Sequence, residues 1–132
     1  MNTDIASIAG LIIAVLVAHF VGDFVVQTHR QAQGKSRSLL WLSLHVFTYF
    51  LTLSAWAWAV VLTPPLRCTN VRLLAEFVLV NTALHFATDF FTSKLNAYLW
   101  KKGDVHNFFV GVGFDQLLHY LAFVITAVWI FG

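Results

Sequence analysis

Four long apolar stretches limit what this chain can fold into. They run from about residue 5 to 26, from 39 to 62, from 73 to 91 and from 108 to 131, and each holds roughly 19–24 residues. An α-helix of that length crosses the ~30 Å hydrocarbon core of a bilayer. Because lipid offers no hydrogen-bond partner to the backbone, a membrane-spanning segment of this kind must be helical.

The sequence therefore predicts an all-α integral membrane protein, a four-helix bundle that forms one domain over residues 1–132. The expected helices cover about 5–28, 39–62, 73–95 and 107–131. Loop residues mark the breaks: Thr63-Pro64-Pro65 is expected to end the second helix, and the single cysteine, Cys68, is expected to be an ordinary loop residue.

Composition agrees with a membrane protein. The chain is 59% hydrophobic and 11% charged over 132 residues. A water-soluble domain of this size has too much surface for its volume to hide so many apolar groups, so the lipid bilayer is the expected partner. The net charge of +2 is small and no basic patch is interleaved with aromatic residues, so we expect no nucleic-acid partner.

Basic residues predict the orientation in the membrane. The first and third loops carry most of them, namely Arg30, Lys35, Arg37, Lys101 and Lys102. Since cytoplasmic loops are enriched in Lys and Arg, these two loops are expected inside a bacterial inner membrane and both termini outside the cytoplasm. Arg67 and Arg72 in the middle loop argue against this orientation.

Acidic and imidazole side chains interrupt the apolar stretches. They are His19, Asp23, His45, His85, Asp89, Asp115 and His119. Of the Lys and Arg residues, only Lys94 touches the end of a stretch, as an interfacial anchor or as a partner for an anionic substrate. An ionisable group at membrane depth costs several kcal/mol unless it is paired, hydrated or bound. This pattern predicts a buried polar site without basic groups, whose natural occupant is a divalent metal.

The spacing of these residues places them on shared helix faces. His19, Asp23 and Gln27 are four residues apart, as are Asn81, His85 and Asp89, and Asp115 and His119, with Gln116 alongside. Residues at i and i+4 lie on one face of a helix. Counted from the helix ends, His19, His45, His85 and the pair Asp115 and His119 fall about 9–18 Å from the predicted cytoplasmic face, so antiparallel helices can bring them together.

A short repeat links the first and third helices. His19-Phe20-Val21-Gly22-Asp23-Phe24 matches His85-Phe86-Ala87-Thr88-Asp89-Phe90 at four of six positions. The two helices are expected to cross the membrane in the same direction. The match therefore indicates a parallel pseudo-repeat of helix pairs.

Imidazole and carboxylate ligands suit Zn²⁺, Mn²⁺ or Fe²⁺, and we expect Zn²⁺. The predicted ligands are His19, Asp23, His85, Asp89, Asp115 and His119, oriented by Gln27, Asn81 and Gln116. Asp23, Asp89 and His45 are the predicted catalytic residues, one of them acting as the general base. A metal-bound water would be the nucleophile in hydrolysis of a phosphoester or lipid headgroup.

The chain resembles a family of small integral membrane proteins of bacteria and phages in the combination His19-x-x-x-Asp23-x-x-x-Gln27, His45, His85-x-x-x-Asp89 with Lys94, and Asp115-Gln116-x-x-His119. That family is catalogued as a domain of unknown function, and the resemblance implies a four-helix membrane fold without an established activity. A weaker likeness is to membrane-bound metal-dependent hydrolases, which also carry His and Asp within transmembrane helices.

Two other functions fit the same residues. In an ion- or proton-coupled transporter or channel subunit they would bind a cation or relay protons, and four helices would then need a homo-oligomer to enclose a pathway. In a structural or interaction subunit they would only join the helices.

Overall fold

The structure, a computed structural model, describes residues 5–63 and 70–132, with side chains described from residue 10 onward. The described residues form helices and contain no strand, which confirms the all-α class. The helices are α1 (Ile5–Phe20), which continues as a π-helical turn (Val21–Val25), α2 (His29–Gly34), α3 (Leu39–Leu62), α4 (Val71–Lys102) and α5 (Val105–Phe131). The predictions for Pro64, Pro65, Arg67 and Cys68 lie outside the described residues.

Within the part of the chain that the structure describes, three helices are long and apolar enough to cross a membrane. They are α3, α4 and α5. The described apolar part of the first helix, Gly10–Val25, is shorter. Large apolar side chains such as Phe91, Val128 and Trp129 are exposed on the outside of the protein, as expected of helices in contact with lipid.

The long helices pack as antiparallel neighbours, α1 against α3, α3 against α4, and α4 against α5. Their buried side chains divide into two layers. One layer is apolar and is built around Leu53, Val60, Leu74, Phe77 and Phe123. The other layer is polar and is built from the end of α1 with its π-helical turn, the first half of α3 and the middle of α4 and α5. The polar site therefore lies on the side of the apolar layer that faces α2 and the α4–α5 turn.

The connection between α4 and α5 is much shorter than predicted. α4 continues to Lys102 instead of ending near residue 95, and Gly103 ends it with a positive φ of 76°. Asp104 then caps α5 by accepting a hydrogen bond from the backbone N–H of Asn107 at 3.2 Å. A glycine in the left-handed region followed by a capping carboxylate reverses the chain in two residues.

The predicted loop after the first stretch contains a short helix. The first helix does not reach residue 28, because its last regular residues form the π-helical turn that ends at Val25. Thr28 and Gln31 then form a capping box at the start of α2. Gly34, at the end of α2, packs against the ring of Trp41 so closely that a Cβ there would lie 2.5 Å from a ring atom. α2 is thus held against the start of α3.

Candidate metal centre

The polar layer brings all seven predicted acidic and imidazole residues together. The four histidines are at most 2% exposed, as are Asp23 and Asp89, while Asp115 is 8% exposed. They come from α1 and its π-helical turn, α3, α4 and α5. The prediction that separate helices contribute to one buried cluster is therefore met by the structure (His19, Asp23, His45, His85, Asp89, Asp115 and His119).

Four of these residues offer ligand atoms to one point. They are Asp23, His45, His85 and Asp89, and their candidate ligand atoms all lie within 4.8 Å of one another. His45 Nε2 lies 3.1 Å from Asp23 Oδ1, 3.2 Å from Asp89 Oδ2 and 3.1 Å from His85 Nε2. His85 Nε2 lies 3.8 Å and 3.6 Å from the same two carboxylate oxygens.

These separations match the edges of a metal coordination shell. Ligands about 2.0–2.1 Å from Zn²⁺ in tetrahedral geometry are about 3.3 Å from one another. The five separations run from 3.1 to 3.8 Å. Two imidazole nitrogens that face each other and two carboxylates at this spacing can hold a divalent ion.

A second group of candidate ligands adjoins the first. It consists of Asp23, Asp115 and His119, whose ligand atoms also lie within 4.8 Å of one another. His119 Nε2 is 3.4 Å from Asp89 Oδ1 and 3.6 Å from Asp115 Oδ1. Thr92 donates a short hydrogen bond to Asp115 Oδ1, which fixes that carboxylate. Asp23 belongs to both groups and links them.

His19 lies in the cluster but belongs to neither group of candidate ligands. Its Nε2 donates to Gln116 Oε1 at 3.0 Å, and its Nδ1 accepts from the hydroxyl of Tyr49 at 3.2 Å. A neutral His19 protonated at Nε2 satisfies both hydrogen bonds. Both ring nitrogens thus make hydrogen bonds within the protein. His19 therefore holds neighbouring side chains of the cluster in place and is not one of the candidate ligands.

Gln116, one of the residues predicted to orient ligands, hydrogen-bonds to two carboxylates of the cluster. Its Nε2 donates to Asp23 Oδ2 and to Asp115 Oδ2, each at 3.1 Å. Its Oε1 accepts from His19, as described above. One amide therefore holds one carboxylate from each ligand group, which leaves Asp23 Oδ1 free to face His45 and His85.

The other two residues predicted to orient ligands lie elsewhere. Gln27 follows the π-helical turn, so it is no longer in helical register with Asp23, and its Oε1 has no hydrogen-bond partner among the described residues. Asn81 is buried one turn before His85, but its amide donates to the Phe77 carbonyl at 2.9 Å and to Thr126 Oγ1 at 2.8 Å. Asn81 thus joins α4 to α5 next to the apolar layer.

The prediction that basic groups stay out of the site is wrong for Lys35. Lys35 Nζ lies 2.8 Å from Asp89 Oδ2 and 3.5 Å from Asp23 Oδ1. Burial alone would lower the pKa of the Lys35 ammonium, but the nearby carboxylates of Asp89 and Asp23 outweigh burial and raise the pKa. Lys35 is therefore a charged member of the cluster, whereas Lys94 is exposed and lies over the Phe90 ring, 3.2 Å from its centroid.

Sequence reasoning also missed Tyr49 and Thr92. The Tyr49 ring stacks on the His85 ring with centroids 3.8 Å apart and an interplanar angle of 4°, which fixes the plane of that imidazole. Tyr49 follows His45 by four residues and Thr92 follows Asp89 by three, so helical spacing was a usable signal for both. Lys35 has no such signal, since it lies in the turn after α2.

These features define a class: an all-helical protein with helices apolar enough to cross a membrane and a buried His/Asp cluster that can hold a metal ion. The chain belongs to the family described as "Protein of unknown function (DUF3307)", whose model matches residues 11–132. This match confirms the expected membership of a family of unknown function. No curated protein and no solved structure matches the chain.

Proposed function

We propose that this protein is a four-helix integral membrane protein that binds a divalent metal ion, with Zn²⁺ as the preferred metal, and uses it for hydrolysis. The observation that carries the proposal is the set of separations of 3.1–3.8 Å among Asp23, His45, His85 and Asp89. The single Lys35 ammonium only partly balances the buried carboxylates, and a divalent ion would relieve the remaining repulsion between them.

Within this proposal, His45, His85 and Asp89 would hold the ion. Three protein ligands are typical of catalytic zinc, and the ion would supply an activated water for hydrolysis. Asp23 is the best-placed general base, because its Oδ2 is held by Gln116 while its Oδ1 faces the ligand group. Asp115 and His119 provide the adjoining polar wall.

The proposed substrate is a phosphoester of a membrane lipid headgroup. The apolar helices support it, because they would keep the cluster within reach of headgroups at the membrane surface. We further propose the topology given by the basic loops, with α2 and the α4–α5 turn in the bacterial cytoplasm and both termini outside.

Metal content tests the first step. The detergent-purified wild type is expected to retain about one divalent ion per chain, and Asp89→Asn is expected to lose it, because an amide is a poor ligand. Asp104→Asn is the matched control, since Asp104 is outside the cluster and caps α5. Elemental analysis of the three proteins gives the answer. Full metal retention in Asp89→Asn, or none in the wild type after loading with Zn²⁺, would contradict the proposal.

Headgroup release tests the second step. Wild-type protein in lipid vesicles is expected to release phosphate or a phosphorylated headgroup, and both a chelator and Asp23→Asn are expected to abolish the release. Retained metal in Asp23→Asn would distinguish a lost base from a lost ligand. Metal binding without any release would limit the function to metal binding.

A second candidate function, proton or ion transport, is favoured by one observation. Imidazoles and carboxylates alternate from His45 through Asp89 and His119 to Asp115, with separations of 3.2, 3.4 and 3.6 Å. Both kinds of group can take up and release a proton, so such a series can relay protons. Flux measured in liposomes, with His119→Phe as the interrupting variant, separates transport from hydrolysis.

A further inference from the structure

The Lys35 ammonium lies where it would compete with a bound metal ion for the same carboxylate oxygens. Its Nζ contacts Asp89 Oδ2 at 2.8 Å and Asp23 Oδ1 at 3.5 Å, and these are the same two oxygens that His45 Nε2 faces. Among the described Lys and Arg side chains, Lys35 is the one that pairs with carboxylates of the cluster. Its side chain is 16% exposed, so the ammonium reaches the cluster from the rim.

The charges make simultaneous occupancy unfavourable. A divalent ion held by Asp89 Oδ2 and the two imidazoles, with Asp23 Oδ1 beside it, would lie within a few ångströms of the Lys35 ammonium. Repulsion between like charges at that separation is strong where water is largely excluded. In the absence of the ion, the ammonium partly neutralises the carboxylates of Asp23, Asp89 and Asp115, so each state of the cluster has its own counter-ion.

We propose that Lys35 is an exchangeable counter-ion of the metal centre, which pairs with Asp23 and Asp89 in the metal-free protein and leaves them when a divalent ion binds. The inference rests on the proposed metal binding and adds a competing cation supplied by the chain itself. Lys35 follows Gly34 at the end of α2, and its flexible stem lets the ammonium move without any change in the long helices. Lys35 thereby sets the metal affinity.

Metal affinity of three full-length variants tests the exchange. Lys35→Met keeps the length of the stem and removes the charge, and we expect it to bind Zn²⁺ at least roughly tenfold more tightly than the wild type. Lys35→Arg keeps the charge and is expected to stay close to the wild type. Arg37→Gln, an exposed neighbour in the same turn, controls for the loss of one positive charge near the site. Affinities are measured by competition with a chelating dye.

The outcomes separate the two proposals. Zn²⁺ binding by the wild type with equal or weaker binding by Lys35→Met would overturn the exchange and leave the metal site intact. Absence of binding in both proteins would overturn the metal site and the exchange together. Binding by Lys35→Met alone would contradict the exchange, because Lys35 would then block the ion permanently instead of leaving the carboxylates when the ion binds.

Chemical labelling tests the same idea without a variant. An amine-reactive reagent is expected to modify Lys35 several-fold more in the Zn²⁺-loaded wild type than in the metal-free protein, because the ammonium no longer pairs with Asp89. Lys101 and Lys102, exposed at the end of α4, are the internal controls. Equal or lower modification of Lys35 on metal loading, measured by mass spectrometry, would contradict the exchange.

Discussion

The helix packing has an apolar half and a polar half, which are the two layers described above. The same helices build both, but side chains are buried in them for different physical reasons. α3 contributes Leu53 and Val60 to the apolar half and His45 and Tyr49 to the polar half. In the apolar half, buried side chains need only to fit one another in shape and volume. In the polar half, each buried group also requires a partner of the right charge or hydrogen-bonding type.

The contrast has consequences for substitution. Apolar cores accept other apolar residues of similar volume with small losses. A buried ion pair that loses one partner leaves the other charge uncompensated. Helices in lipid gain little from hydrophobic burial against each other, so packing and polar pairing carry a larger share of their association. The polar half should therefore be the more sensitive half to a substitution that removes one charged partner.

The largest effect is expected for Asp89→Ala in the presence of a chelator. Asp89 faces Lys35, His45 and His119, so its removal leaves buried groups without their carboxylate. We expect a loss of about 3–5 kcal/mol in the free energy of unfolding, measured by denaturant titration in mixed detergent micelles. A loss below about 1 kcal/mol would break the contrast, since the polar half would then tolerate an unpaired charge.

Phe77→Ala tests the apolar half in the same assay. Phe77 is 2% exposed and contacts the rings of Trp56, Phe123 and Phe131, so truncation leaves a cavity. Phe→Ala in a well-packed core costs about 3–5 kcal/mol, and we expect the low end of that range because helices in lipid gain less from apolar burial. Added Zn²⁺ at about a hundredfold above its dissociation constant should stabilise Phe77→Ala and the wild type by an equal increment, about 2.7 kcal/mol. The same Zn²⁺ should leave Asp89→Ala unchanged, and a stabilised Asp89→Ala would count against a distinct polar half.

The contrast also explains what the sequence could predict. Helix positions followed from the length of the apolar stretches, and the cluster followed from helical spacing, because His85 and Asp89 lie one turn apart on any regular helix. Antiparallel neighbours then had to place those turns at similar depth. The motifs that these residues form also resemble a family of unknown function, and the match over residues 11–132 confirms that family.

The parts that failed depend on irregular backbone. The π-helical turn at Val21–Val25 moves Gln27 out of register with Asp23, and no periodic pattern predicts such a turn. Lys35 reaches the cluster only because α2 folds back against α3, a tertiary contact beyond the range of local spacing. Asn81 had the correct spacing, but it found a nearer partner in Thr126 on α5.

Gly34→Ala tests how tightly α2 closes the polar half. A Cβ at Gly34 would lie 2.5–2.8 Å from atoms of Trp41, so either the ring or α2 must shift. We expect a loss of about 1–3 kcal/mol from overpacking and faster amine labelling of Lys35 in the metal-free protein. Gly113→Ala is the matched control, because nothing lies within 4 Å of the position that its Cβ would take. If Gly34→Ala changes neither the stability nor the labelling of Lys35, α2 does not close the polar half.

The smallest effect is expected at Asp104, which belongs to neither half. Its hydrogen bonds from the Asn107 side-chain amide and then from the Asn107 backbone lower the pKa of the carboxyl below its usual value. Because the folded pKa is lower than the unfolded pKa, about 3.9, the carboxylate stabilises the fold above that pH. The contribution is lost as the pH falls through the folded pKa.

Asp104→Asn keeps a capping oxygen but cannot titrate. The wild type is therefore expected to be slightly more stable than Asp104→Asn at neutral pH, and the difference should shrink as the pH falls below about 4. Melting temperatures in detergent across this range measure it. A stability difference that grows on acidification would show that Asp104 stabilises the turn in its protonated form, contrary to the expected pH dependence. A difference as large as that of Asp89→Ala would remove the distinction between the α4–α5 turn and the buried cluster.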